Sequence, residues 1–130
     1  MQAFLYFDLT DSGAYQKPVV AQVRQAFPNI AVLDLDTTSD ELLQHYARRM
    51  LREATQSIVC IKADESTKNL GSLMPLLEEI FRKGPQRLVI LEGEHARLRR
   101  MFDARPHVRY LKVEPGQVLE EVKRFLSSVA

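Results

Sequence analysis

Five short apolar runs recur along the chain: Phe4–Leu9, Ile30–Leu35, Ser57–Ile61, Leu88–Leu91 and Val108–Val113. Each is followed by a stretch with helical spacing. Strands linked by helices run parallel, because a helix must carry the chain back before the next strand begins. The first run is nearly continuous in apolar character, as a strand covered on both faces should be. The expectation is one α/β domain over residues 1–130: a three-layer sandwich around a five-stranded parallel sheet. Right-handed crossovers make the strand order 2-1-3-4-5. A ligand site in such a sheet lies at the carboxyl ends of the strands, at the switch between strands one and three. That places it over Asp8–Gly13 and Lys62–Gly71.

The chain has 130 residues, of which 45% are hydrophobic and 27% charged. A chain of that length and make-up can bury a core without staples. Its single cysteine, Cys60, sits inside the third apolar run and reads as a small buried hydrophobe. No apolar run approaches the roughly 20 residues needed to span a bilayer. The first residues enter a strand without a basic, signal-like segment, so a cytoplasmic location is expected. The net charge of +1 hides an asymmetry, with acids in excess in the first half and bases in the second.

Helices are expected at about Tyr15–Phe27, Asp40–Ala54, Leu73–Arg82, His95–Phe102 and from Gly116 to Ser127. Thr38 and Ser39 are the N-cap candidates of the second helix. Leu42, Leu43, Tyr46, Met50, Leu51 and Ala54 form its expected buried stripe, from their three- and four-residue spacing. The bases alternating in the fifth strand point to a wet face or edge.

Several chemistries lack their residues. No glycine-rich dinucleotide or nucleotide phosphate loop follows the first strand, and no Gly-x-Ser-x-Gly elbow occurs. His45, His95 and His107 stand far apart beside one cysteine, so no metal site is expected. Acids do gather at the strand ends: Asp8, Asp11, Asp36, Asp64, Glu65, Glu92 and Glu94. Parallel strands put these on one rim. With Ser12 and Ser66 they would suit a hydroxyl-bearing ligand or a cation, while the same positions also suit helix N-termini. Between His95 and Lys112 the bases Arg97, Arg99, Arg100, Arg105 and Arg109 crowd around Asp103. They are expected to form one patch for an acidic protein surface or a phosphate. Nucleic acid is the weakest choice, because no aromatic platform accompanies the bases.

Two resemblances follow from these residues. Leu51, Ala54, Ser57, the strand Ile58–Ile61, then Asp64, Ser66 and Asn69 before a leucine-rich helix, resemble the pattern of TIR domains, and Asp36 fits as well. The resemblance implies a flavodoxin-like sandwich acting in signalling by protein–protein or self association. TIR enzymes and the related nucleoside deoxyribosyltransferases cleave an N-glycosidic bond with a glutamate on the third helix. Spacing places Leu76 near that position, and Glu78 is the candidate catalytic residue, with NAD or a nucleoside as substrate. The second resemblance is to phosphoreceiver domains. It rests on Asp8 and Asp11 and on Tyr110–Gly116 running into an amphipathic helix. Lys62 stands where receivers carry the phosphoacceptor aspartate, which implies a degenerate, receiver-like regulatory domain. The first reading is an adaptor domain without a required cofactor, contacting a protein partner or itself and no membrane. Glycosidic cleavage is its alternative.

Overall fold

The computed structural model of the chain describes residues 1–10, 18–67, 70–82, 86–114 and 116–127. The elements alternate as β1 (Gln2–Asp8), α1 (Pro18–Ala26), β2 (Ala31–Asp36), α2 (Glu41–Glu53), β3 (Gln56–Lys62), α3 (Met74–Ile80), β4 (Gln86–Glu92), α4 (Ala96–Asp103), β5 (Arg109–Val113) and α5 (Val118–Ser127). Every strand pair is parallel, and the order is β2-β1-β3-β4-β5. This is the flavodoxin-like α/β sandwich expected from the alternation. Tyr15–Lys17, expected at the start of the first helix, lie outside the described residues.

Side chains alternate across the strands and build two cores. Ala3, Leu5 and Phe7 of β1 pack with Val59, Ile61, Val89 and Leu91 under α2, α3 and α4. Phe4 and Tyr6 pack with Ile58, Cys60, Leu88 and Ile90 under α1 and α5. The central strands β1, β3 and β4 are thereby buried on both faces. Strands β2 and β5 form the half-covered edges. Cys60 is fully buried, and burial pushes its thiol well above the ordinary cysteine range. Among the described residues no helix is long and apolar enough to cross a membrane.

Helix α2 departs from its expected stripe in two ways. Its N-cap is Asp40, whose carboxylate accepts the Leu43 N–H at 2.8 Å. Thr38 and Ser39 are spent one turn earlier: Thr38 donates to Asp36, and the Ser39 hydroxyl accepts the Asp36 N–H. The buried face is Ala47, Leu51 and Ala54, with Leu43 and Met50 half-buried. Leu42 and Tyr46 point outward, 73% and 58% exposed. Two buried alanines let the helix approach the sheet closely on a narrow stripe, which leaves those two larger residues outside.

The amino-terminal edge of the sheet is tied by a buried carboxylate. Glu79 of α3 is only 4% exposed and meets three guanidinium groups: Arg52 at 3.1 Å, Arg82 at 3.7 Å and Arg87 at 3.9 Å. Arg87, at the start of β4, also donates to the Glu79 carbonyl at 2.7 Å and the Leu51 carbonyl at 3.1 Å. One group of charges thus joins α2, α3 and β4. Removing one partner of such a buried group leaves the others uncompensated, at a cost of about 3 kcal/mol. Denaturant unfolding of Glu79→Gln should show a loss of that order. A loss under about 0.5 kcal/mol, the size of an ordinary surface change, would show that the charges are independent.

Candidate functional site

Parallel register aligns the last residues of four strands into one row. Asp36 of β2 stands beside Asp8 of β1, Asp8 beside Lys62 of β3, and Lys62 beside Glu92 of β4. Asp8, Lys62 and Glu92 follow Tyr6, Cys60 and Ile90 by two residues, so they share the α1/α5 face. The row caps an apolar layer with charge at the β1/β3 switch. Asp8 is 6% exposed and Glu92 5%.

Glu92 is the most constrained member. Its Oε1 accepts the Tyr6 hydroxyl at 3.4 Å, and its buried Oε2 has no hydrogen-bond partner. Burial raises its carboxyl above the ordinary glutamate range; the Lys62 charge and the Tyr6 hydroxyl oppose that, and Asp8 adds to it. The Tyr6 phenol is pushed far up by the same burial and by Glu92. The site therefore holds a buried carboxyl that keeps its proton to higher pH than an ordinary glutamate, with the neighbouring lysine opposing the shift.

The remaining acids serve their own loops. Asp8 Oδ1 accepts the Thr10 N–H at 2.8 Å and its hydroxyl at 2.6 Å. Asp36 Oδ1 accepts the same two groups of Thr38 at 2.8 and 2.6 Å. Asp64 Oδ1 accepts the Ser66 N–H at 2.9 Å and the Ser66 hydroxyl, which holds its carboxyl below the usual range. All three are Asp-x-Ser/Thr turns that start a β-to-α connection. They stand at equal intervals along the chain, and that repeated triplet was a legible signal for a turn-forming role.

Asp11 and Ser12 lie outside the described residues, as does Asn69. Ser57 is buried at the start of β3, at the edge away from the row. Glu78 is exposed on α3. Its neighbour Glu79 belongs to the amino-terminal cluster, so the fold carries Glu78 toward the edge opposite Asp8 and Glu92. Among the described residues no group of three or more His, Cys, Asp or Glu side chains is arranged to hold a metal ion.

The bases between His95 and Lys112 divide between the two faces. Arg105 donates to the Met101 carbonyl at 2.9 Å and lies 4.0 Å over the Phe81 ring, on the α3/α4 side. Arg109 lies 5.4 Å over Phe125, on the α5 side. Arg97, Arg99 and Arg100 are exposed on α4. Arg99 and Arg100 wall a cleft of about 380 Å³ with Lys112, Glu65, Glu94 and Asp103. Lys112 pairs with Glu94, which lowers the Glu94 carboxyl and raises the lysine.

His95 also lines this cleft, and its role comes from contacts that its isolated place in the sequence does not show. It is the N-cap of α4: Nδ1 accepts the Leu98 N–H at 3.2 Å, so Nε2 carries the proton and donates to the Thr67 carbonyl at 2.8 Å. One neutral imidazole therefore starts α4 and ties down the loop after β3. Gly93 brings the two loops together: a Cβ there would stand 2.3 Å from the Ala63 carbonyl oxygen. Comparison with known proteins found no matching family model, no matching curated protein and no matching solved structure.

Two measurements check these assignments. Because the folded state raises Glu92, the stability that its protonated form contributes is present below the ordinary glutamate range. It is lost as pH rises through the raised value. Glu92→Gln should therefore unfold later than the parent at pH 8 and converge with it on acidification; a constant difference from pH 4 to 8 would contradict the assignment. For His95→Ala, loss of the cap should cost about 1–2 kcal/mol. Hydrogen exchange at Leu98 should accelerate, with partial rescue in His95→Asn; unchanged exchange would rule the cap out.

Proposed function

We propose that this domain is a small cytoplasmic signalling or adaptor module that binds a protein partner, in the manner of the TIR-like domains its middle third resembles. The observation that carries the reading is the mixed-charge cleft on α4. Arg99, Arg100 and Asp103 of α4 line it together with Glu65 and the Lys112–Glu94 pair, and Arg97 is exposed on the same helix. A phosphate chain favours bases of one sign. Alternating signs instead match the polar rim of a protein surface and set orientation as well as attraction. The excess of arginine over lysine on α4 suits planar, bidentate contact with carboxylates. A protein surface of mixed charge, with carboxylates to meet Arg99 and Arg100, is the partner this chemistry selects. The rim acids support the same view, because Asp8, Asp36 and Asp64 each use an oxygen to start a turn.

A second reading has one specific observation in its favour: Glu92 of β4 is a buried carboxyl of raised pKa in the row of strand ends, separated from Asp8 by Lys62. Cleavage of an N-glycosidic bond in NAD or a nucleoside would place that chemistry at Glu92 rather than Glu78. The test compares the parent with an R97E/R99E/R100E variant. A partner captured by the parent should bind the variant at least tenfold more weakly and be released by salt, as screened charges are. Equal capture by the variant would overturn the reading. So would release of nicotinamide from NAD by the parent that disappears in Glu92→Gln.

A further inference from the structure

The outward face of α2 presents a knob and a hole side by side. Leu42 stands 73% exposed on the first turns of the helix. Toward the end of the helix a groove of about 330 Å³ opens against the start of β2, lined by Met1, Ala31, Tyr46, Arg49, Met50 and Glu53. Tyr46, 58% exposed, lies between them, and Met1 is 52% exposed. Three of the four large hydrophobic side chains exposed among the described residues thus gather on one flank. Apolar side chains gathered in this way mark interaction surfaces rather than free solvent faces.

The charges on the same helix select the occupant. Asp40 and Glu41 occupy its start; in its later turns Arg48, Arg49 and Arg52 outnumber Glu53, with Arg49 paired to Glu53 at 3.0 Å and Arg52 to Glu79 at 3.1 Å. A copy of α2 laid antiparallel brings the acidic start over the net basic end, where Glu41 of one copy shares Arg49 of the other with Glu53, and opposes the two helix dipoles favourably. It also drops Leu42 of each copy over the groove of the other, with Tyr46 near the axis. A surface that carries both a knob and its own hole, with charges reversed end to end, is self-complementary under a two-fold rotation. A parallel copy would instead stack Glu41 on Glu41 and Arg49 on Arg49.

We propose that a second copy of this chain docks on this face, α2 against α2 in antiparallel, forming a two-fold dimer through Leu42, Tyr46 and the Glu41–Arg49 pairs. The inference rests on the α2 face alone and goes beyond the α4 surface, which stays free for another protein.

Sedimentation velocity on the full chain over a concentration series tests it. The parent should show a monomer–dimer equilibrium, and L42D/Y46D should raise the dissociation constant at least tenfold. The charge pattern supplies a second reading independent of packing. Glu41→Lys and Arg49→Glu should each weaken self-association, because each homodimer then repeats a like-charge pair. Mixed in equal amounts they should associate with each other, since both pairs are restored in the heterodimer. The α4 variant R97E/R99E/R100E should dimerise as the parent does. A parent that stays monomeric at about 0.5 mM, near the weak limit for a specific contact, would overturn the dimer. A dimer that persists in L42D/Y46D would place association on another face. Failure of the mixture to associate would overturn the antiparallel arrangement. None of these outcomes bears on binding at α4.

Discussion

Parallel pairing of β1, β3 and β4 is the constraint on which the rest of the molecule depends. Strands that all point one way deliver all their carboxyl ends to one edge and all their amino ends to the other. The two edges then take on different work. At the carboxyl edge the register brings Asp36, Asp8, Lys62 and Glu92 into a row. At the amino edge Glu79 gathers Arg52, Arg82 and Arg87. Polar groups so deeply covered are costly unless paired. The amino edge meets most of that cost with ions and carbonyls, while Arg87 Nε and Ser57 Oγ stay buried there without a hydrogen-bond partner. The carboxyl edge leaves one oxygen of Glu92 without a partner, and its carboxyl responds by holding its proton more tightly. The carboxyl edge is the one at which a parallel sheet of this order places a ligand.

The loops at the carboxyl edge show how turn chemistry and site chemistry compete for the same side chains. An aspartate that ends a strand is well placed for a ligand, and equally well placed to accept the N–H and hydroxyl of a residue two positions on. Asp8, Asp36 and Asp64 all take the second course. Glu92 breaks the pattern, because the residue two positions on is Glu94, which has no hydroxyl to donate. Between them Gly93, at positive φ, lets the loop after β4 approach the Ala63 carbonyl. Glu92 stands beside Lys62 at the end of the sheet, with Tyr6 as its donor.

Much of the fold was legible in the chain because its signals are local. Apolar runs with short polar breaks define strands wherever they occur, and crossover handedness does the rest. The site was less legible, because its members meet only through register. Tyr6 reads as a core aromatic until β4 places Glu92 within reach of its hydroxyl. His95 reads as an isolated histidine until the loop after β3 offers it the Thr67 carbonyl. The arginines after His95 read as one patch, yet Arg105 and Arg109 turn to opposite faces, because Phe81 and Phe125 lie on opposite sides of the sheet. Glu78 and Glu79 are neighbours in sequence, and only packing decides that the second is buried.

Helix α2 shows where periodicity misleads and why. Leu42 and Tyr46 keep the three- and four-residue spacing of a core stripe, but an edge helix has core on one side only. Ala47, Leu51 and Ala54 already fill that side. The two sheet edges are protected unequally. Strand β5 exposes Arg109 and Lys112, charges of the kind that keep edges from pairing. Strand β2 offers Ala31, Val32 and Leu33 half-covered, with Asp34 as its exposed charge. The half-covered strand β2 and the exposed Leu42 and Tyr46 of α2 therefore lie on one flank of the sheet, and an antiparallel second copy, as proposed, would cover both.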